Sequence, residues 1–153
     1  MPRRFPLLIV PLSLTVLATL AGCGGEEPLS RAEYVKQADA ICARTAARGR
    51  ELGDVGDAGS VAELERITAT RRRLAEQQLE ELRALKAPGE IAETADDAYE
   101  LQEGLLERFD EVIRAAKDKD SVKLQQIGTE LVRVTEQSRA KIRAIGLKVC
   151  GAG

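Results

Sequence analysis

The residues with the clearest chemical potential in this chain are its three cysteines, Cys23, Cys42 and Cys150. A cysteine sulfur can act as a nucleophile, form a disulfide or bind a metal. Imidazole chemistry is absent, because the chain contains no histidine. That absence excludes Ser-His and Cys-His catalysis, zinc sites with histidine ligands and histidine-bound haem. The role of each cysteine is therefore inferred from the sequence on either side of it.

An apolar leader precedes Cys23. Arg3 and Arg4 are followed by residues 5–21, which are apolar, carry no charge and include two prolines. Basic, then apolar, then small residues are typical of a secretory signal. The apolar stretch is shorter than the roughly 20 residues of a comfortable membrane span. An uncleaved membrane helix and a simple secreted protein are the alternatives, but a simple secretory signal does not need a cysteine at this position.

The last four residues of the leader are Leu20-Ala21-Gly22-Cys23, and they resemble the lipobox of bacterial lipoproteins. The resemblance implies that residues 1–22 are a signal peptide, that the Cys23 thiol takes diacylglycerol and that cleavage frees its amine for acylation. Two or three acyl chains anchor firmly, because each buried methylene contributes about 0.8 kcal/mol. We therefore expect a lipid anchor on the extracytoplasmic face of the cell membrane. Residues 23–29 would be the lipidated cysteine and a tether, and the six residues 24–29 reach at most about 20 Å. The folded part should therefore lie close to the membrane.

Cys42 and Cys150 remain once Cys23 is assigned to the lipid. An exported chain meets oxidising conditions, and the even count makes a bridge within the chain the first expectation. That bridge would close a loop of 108 residues. Two free redox thiols are one alternative, although the sequence contains no Cys-x-x-Cys motif. A bridge between two chains is the other.

The composition indicates one helical domain. Alanine, leucine, glutamate, arginine and lysine dominate, and all of them favour helices. Without the leader the chain has 131 residues, with 21 basic and 25 acidic side chains and a net charge of −4. This mild acidity gives no reason to expect nucleic-acid binding. With two tyrosines, two phenylalanines and no tryptophan, the chain offers few stacking platforms for bases or sugars.

Four helical segments are predicted after the tether. Ser30 and Ser60 each have a glutamate three residues later, which is the capping-box signal for a helix start. Pro88-Gly89 ends the second segment, because proline cannot continue a helix. A short turn at residues 118–120 precedes the fourth segment, capped by Asp120 or Ser121. The predicted helices span residues 30–50, 60–86, 90–117 and 121–145.

Apolar residues recur at spacings of three and four in each segment, as in amphipathic helices. On the first helix the predicted apolar face comprises Tyr34, Val35, Ala38, Ile41, Cys42 and Ala46, and on the second it begins at Val61. Short connections favour antiparallel neighbours, so we expect an all-α, up-down-up-down four-helix bundle over residues 30–153. Gly146 and Leu147 fit a Schellman helix end. The chain must then return along the first helix to bring Cys150 within about 7 Å of Cys42.

Four polar residues interrupt the apolar faces of helices 2–4 and form a candidate polar layer: Arg71, Gln78, Gln102 and Ser138. Counting residues from the two short turns places Gln78, Gln102 and Ser138 at similar heights along the bundle axis. They could line a small polar pocket in which Arg71 meets an anionic group. The alternative is a satisfied polar layer, or side chains that extend to water at the edge of the core.

No catalytic residue, metal site or cofactor site is predicted. Ferritin-like metal sites need histidine on inward-facing helices. The acidic pairs Glu26-Glu27, Glu80-Glu81 and Asp96-Asp97 fall on the tether or on outward faces. Asp54 and Asp57 lack the rest of a calcium-loop pattern. Arg71-Arg72-Arg73 points in three directions, so these residues favour surface ion pairs with Glu76 and Glu80.

A second resemblance covers both ends of the mature chain. Residues 34–42, with Tyr34, Ala38-Asp39 and Ile41-Cys42, and the segment Gly146-Leu147-Lys148-Val149-Cys150 resemble small actinobacterial lipoproteins. The resemblance implies the Cys42–Cys150 disulfide and no catalytic residue. We expect a non-catalytic structural or interaction role at the cell envelope, with the membrane and envelope proteins as partners. A ligand-binding or sensory lipoprotein with a polar pocket inside the bundle is the alternative.

Overall fold

The computed structural model describes residues 28–152 and places them in four α-helices. These are α1 (Arg31–Glu51), α2 (Val61–Ala84), α3 (Gly89–Lys117) and α4 (Ser121–Ala144). A short 3-10 turn, Val55–Asp57, lies in the loop between α1 and α2. Residues 28–152 contain no β-strand, so the predicted all-α class is confirmed. The leader, Cys23 and residues 24–27 of the tether lie outside the described residues.

Side-chain caps fix the helix starts. Ser30 and Glu33 form the predicted capping box at α1: the Ser30 hydroxyl accepts from the Glu33 N–H at 3.4 Å, and Glu33 accepts from the Ser30 N–H at 3.2 Å. At α2 the Ser60 hydroxyl caps as predicted, but the Glu63 carboxylate accepts from Gly59 instead of Ser60. Asp120 caps α4.

Two helices end in Schellman motifs. At the end of α4 the Leu147 N–H donates to the Ile142 carbonyl at 3.2 Å, and Gly146 has a φ of 98°. This is the predicted end, and glycine tolerates that left-handed conformation well. The end of α3 has the same hydrogen bonds, but Lys119 occupies the left-handed position with a φ of 55°. The turn between α3 and α4 is therefore built without glycine.

Consecutive helices run in opposite directions. Between α1 and α2, Arg44 pairs with Glu81 at 2.5 Å and Arg48 donates to Gln77 at 3.4 Å, so residue numbers rise on one helix as they fall on the other. The other two interfaces have the same pattern, in the pairs Lys117–Glu65, Arg83–Glu103, Arg108–Glu130 and Lys141–Asp97. Three successive antiparallel pairs of helices are the arrangement of an up-down-up-down bundle.

The bundle is open between its first and last helices. No Cα atom of α1 lies within 8 Å of a Cα atom of α4. Residues 145–152, which we call the closing segment, fill this gap where α4 ends beside the start of α1. The Arg31 side chain donates to the Ile145 carbonyl at 3.4 Å, and Leu147 is buried against the core. The connection between α4 and α1 is therefore made by the closing segment that follows α4.

The core is concentrated at one end of the bundle. We call this end proximal: α1 and α3 begin there, and α2 and α4 end there. Its buried residues are Tyr34, Ala38, Ile41, Cys42, Leu79, Leu82, Ile91, Ala95, Ala98, Tyr99, Ile142, Ile145 and Leu147. At the opposite, distal end only a few apolar side chains are fully buried, among them Ile67, Ala115 and Ile127.

Two residues assigned to the apolar faces are exposed, so those assignments were wrong. Ala46 is exposed because it lies on α1 beyond the reach of the closing segment and has no α4 neighbour. Val61 is 42% exposed because it is the first residue of α2, where the helix projects past the core. The apolar face of α2 therefore begins one turn later, at Leu64, which is half-buried.

Candidate functional site

The predicted disulfide joins α1 to the closing segment. The Cα atoms of Cys42 and Cys150 are 5.2 Å apart, well within bridging distance. Cys42 is buried in the core, and Cys150 lies at its edge. The bridge links residues 108 positions apart, and it secures the closing segment in the gap between α1 and α4.

The carboxylate of Asp39 reinforces this attachment. Its two oxygens accept hydrogen bonds from three consecutive main-chain N–H groups, those of Lys148, Val149 and Cys150, at 3.0, 2.8 and 3.2 Å. Hydrogen bonds to an ionised acceptor are stronger than those between neutral groups. In the sequence, Asp39 stands out only as part of a motif, and no role is predicted for it. Its position one turn before Cys42 was the available signal, because that spacing places both side chains on adjoining parts of one helix surface.

The end of the closing segment folds back on α4. Arg143 donates to the Gly151 carbonyl at 3.1 Å. A Cβ atom at Gly151 would lie 2.6 Å from the Arg143 Cγ and 3.0 Å from the Leu147 carbonyl oxygen. Gly151 is therefore required by close packing. Together with Asp39 and the disulfide, these contacts make the closing segment a fixed part of the proximal end.

Two buried tyrosines meet inside the same end. Tyr34 on α1 and Tyr99 on α3 are 0% and 2% exposed, and their hydroxyls share a hydrogen bond. Burial raises the pKa of Tyr34, and burial together with the hydrogen bond to Tyr34 raises that of Tyr99. Both hydroxyls therefore remain protonated at neutral pH. Sequence reasoning missed Tyr99; the signal was that a buried tyrosine hydroxyl needs a partner and the chain holds only one other tyrosine.

The four residues of the candidate polar layer occupy inward positions but are not joined to one another. Ser138 is buried and donates to the Ala98 carbonyl at 3.2 Å. Arg71 is half-buried and donates to the Gly53 carbonyl, in the loop after α1, at 2.6 Å. Gln78 and Gln102 are half-buried. Within residues 28–152 no hydrogen bond connects any two of the four.

Two buried polar atoms on α2 have no hydrogen-bond partner within the described residues. They are the Thr68 hydroxyl and the Nε atom of Arg71. Thr68 is 2% exposed and lies one turn before Arg71. A buried donor without a partner costs free energy unless a water molecule or ligand supplies one. The interior beside the α1–α2 loop is therefore the most polar unsatisfied part of the core.

Within the described residues, the surface ion pairs predicted for residues 71–73 form only at Arg72, and Glu80 makes no ion pair. Arg72 pairs with Glu76 at 2.9 Å and with Asp110 at 2.6 Å. Glu81 pairs with Arg44. Glu80 lines an open groove of about 510 Å³ between α2 and α3, whose floor includes Leu79 and Leu106. Such exposed pairs contribute little to stability, typically below about 1 kcal/mol each.

The described residues also bear on metal binding and membrane spanning. Among residues 28–152 no group of three or more Asp, Glu or Cys side chains is arranged to hold a metal ion. None of the four helices is both long enough and apolar enough to cross a membrane. The described residues therefore form a helical bundle in which α1 and the closing segment are held together at the proximal end. The chain matches no known family model, no curated protein and no solved structure.

Proposed function

We propose that this protein is an extracytoplasmic lipoprotein, anchored to the cell membrane by diacylglycerol on Cys23, that acts through binding contacts and not through catalysis. The observation that carries the proposal is the sequence Leu20-Ala21-Gly22-Cys23 at the end of a basic and then apolar leader. A thiol is needed at this position because sulfur is the nucleophile that takes the lipid.

The disulfide supports an exported location. Structural disulfides persist in oxidising compartments and are rare in the cytosol. Cys42 and Cys150 are paired, and both are at least partly buried in the core. Of the three cysteines, Cys23 is then the one left for lipid attachment.

The short tether gives the anchored domain an orientation. Residue 28 is the first described residue, and the Leu29 N–H donates to the Lys86 carbonyl at the end of α2, at 3.0 Å. The five residues from Cys23 to residue 28 reach at most about 18 Å. In this proposal the proximal end faces the bilayer and the distal end projects outward.

The non-catalytic part of the proposal rests on side-chain chemistry. The chain has no histidine to serve as a general base. Asp39, on the side of α1 that faces the closing segment, is already engaged with three main-chain donors. The polar residues Arg71 and Ser138 also donate to main-chain carbonyls. A membrane-held scaffold that binds other envelope components fits these contacts best.

The anchor is tested by metabolic labelling with an alkyne fatty acid in a bacterial host that processes lipoproteins. We expect label on the wild-type chain and its recovery in the membrane fraction. Cys23→Ser should lose the label and leave the precursor unprocessed. The matched control is Cys42→Ala/Cys150→Ala, which keeps Cys23 and should keep the label. Equal labelling of Cys23→Ser and wild type would contradict the proposal.

A ligand-binding role is the second candidate, and the unpartnered atoms of Thr68 and Arg71 favour it. A small polar or anionic molecule seated between α2 and the α1–α2 loop would satisfy both. Native mass spectrometry of protein extracted from its membranes should then show a bound mass that is lost in Arg71→Met. Gln102→Leu tests the wider polar layer: greater stability with the bound mass retained would remove Gln102 from the site.

A further inference from the structure

One groove between α3 and α4 is smaller and more apolar than the one between α2 and α3. Its volume is about 210 Å³, and its walls include Leu101, Leu105, Leu131 and Val134. Gly104 lies on the α3 side, and Glu100 lies on the rim one turn before it. We call this the Gly104 groove.

No contact within the described residues explains why position 104 is a glycine. It lies in the interior of α3, where glycine is less favourable than any other residue except proline. Its φ is not in the left-handed region, where glycine is favoured. Apart from its chain neighbours and the backbone of its own helix turn, a Cβ atom built there would meet no atom within 4 Å. Gly104 differs from Gly128, the mid-helix glycine of α4 that also has open space around it, because Gly104 lines this groove. Without a side chain there, a group from outside the chain can approach α3 closely.

The size of the groove decides what kind of group fits. Pockets for small molecules usually measure about 300–1,000 Å³, and the Gly104 groove is smaller. It has room for one large apolar side chain. A partner helix lying across Gly104 would bring such a side chain between the leucines while its backbone approaches α3 closely.

The charged residues of the groove indicate the charge of the partner. The charged residues that line the groove are Glu100, Arg108 and Glu130. Arg108 is already held by both carboxylate oxygens of Glu111 and by Glu130. Glu100 makes no ion pair or hydrogen bond with another described residue. The rim therefore complements a cationic partner.

We propose that the Gly104 groove binds a basic amphipathic helix of a partner protein, which inserts one large apolar side chain beside Gly104 and places a lysine or arginine against Glu100. This mode of recognition lays the apolar face of a helix in a groove. The inference rests on the interaction role proposed above and specifies the surface that performs it.

The test uses the full chain in phosphatidylcholine nanodiscs, with empty discs subtracted. The probe is a fluorescent helical peptide with a leucine stripe flanked by lysines, compared with a peptide in which glutamates replace the lysines. We expect the basic peptide to bind, to bind at least about tenfold more tightly than the acidic peptide, and to weaken as salt screens Glu100. Gly104→Leu should reduce its affinity by about tenfold or more.

Matched variants separate the groove from general effects. Gly128→Leu, at a mid-helix glycine of α4 that also has open space around it, should bind like wild type. Glu100→Lys should abolish the preference for the basic peptide, whereas Glu51→Lys makes the same change of charge on α1 and should not. Unchanged binding by both Gly104→Leu and Glu100→Lys would overturn the inference. Intact mass of the same preparation reports the lipid on Cys23, so failure of the anchor is read separately.

Discussion

The Asp39 carboxylate lies on the side of α1 that faces the closing segment and gathers three successive N–H groups of residues 148–150. The Tyr34 and Tyr99 hydroxyls satisfy each other inside the proximal core. In both places a polar group is paired with a partner far away in sequence. These two contacts fix how α1 sits against the rest of the bundle.

Removal of the Asp39 carboxylate should loosen the closing segment. We expect Asp39→Ala to lower the free energy of unfolding by about 1–3 kcal/mol, because it removes hydrogen bonds to a charged acceptor. The amides of residues 148–150 should exchange with deuterium faster, which hydrogen-exchange mass spectrometry measures. Asp57→Ala, on an exposed loop, is the control and should change neither quantity. Unaltered exchange in Asp39→Ala would show that the disulfide alone holds the segment.

The tyrosine pair should make stability fall in alkaline solution. Burial holds the pKa of both hydroxyls above the ordinary value of about 10. Above that pH the unfolded chain releases tyrosine protons that the folded chain retains, so the unfolded state binds fewer protons and the free energy of unfolding declines. The stabilisation is fully present below pH about 10 and is lost as pH rises toward the folded-state pKa.

This decline can be measured cleanly because the chain has no other tyrosine. Tyrosinate absorbance should appear together with unfolding and not before it. The variant Tyr34→Phe/Tyr99→Phe should lose the tyrosine contribution to the pH dependence, while lysine titration continues in both proteins. Tyrosinate absorbance near pH 10 in a chain that is still folded would contradict the expected burial.

At the scale of elements, helix signals in the sequence were reliable because they are local. The Ser30 and Ser60 caps and the Gly146 end depend on residues within one or two turns. The burial of α1 was less well predicted, since Ala46 carries the right period but has no helix beside it. The roles of Asp39 and Tyr99 depend on partners 65 to 111 positions away. Periodicity contains no information about such contacts.

The turn between α3 and α4 offers a stabilising substitution. Lys119 adopts a left-handed conformation that costs a residue with a side chain roughly 1 kcal/mol relative to glycine. We expect Lys119→Gly to raise the free energy of unfolding by up to about 1 kcal/mol. In contrast, Lys36→Gly, on the exposed surface of α1, should lower it by about 1 kcal/mol. Chemical denaturation of both variants checks the sign of each change.

At the scale of the whole molecule, the closing segment turns an open row of helices into a closed bundle. α1 packs on α2, while its other side meets residues 145–152. Stability should therefore depend strongly on the covalent link. Closing a loop of 108 residues is worth about 4–5 kcal/mol in the chain-entropy model.

Cys42→Ala/Cys150→Ala should lose most of that stabilisation, measured as a lower denaturant midpoint against the oxidised wild type. Reduction of the wild-type disulfide should give a similar loss, which separates the bond from the effect of the substitutions. A loss below about 1 kcal/mol from both would mean that Asp39 and the buried Leu147 hold the segment unaided.

The position of the disulfide also determines how the chain carries a stretching load. If residues 28 and 151 are pulled apart, tension passes along α1 to Cys42 and then directly across the bond to Cys150. Residues 43–149 are bypassed and feel no tension. Residues 28–42 then reach at most roughly 50 Å when fully extended, whereas residues 28–151 of the reduced chain reach roughly 400 Å. In the oxidised protein, most of the bundle is mechanically shielded.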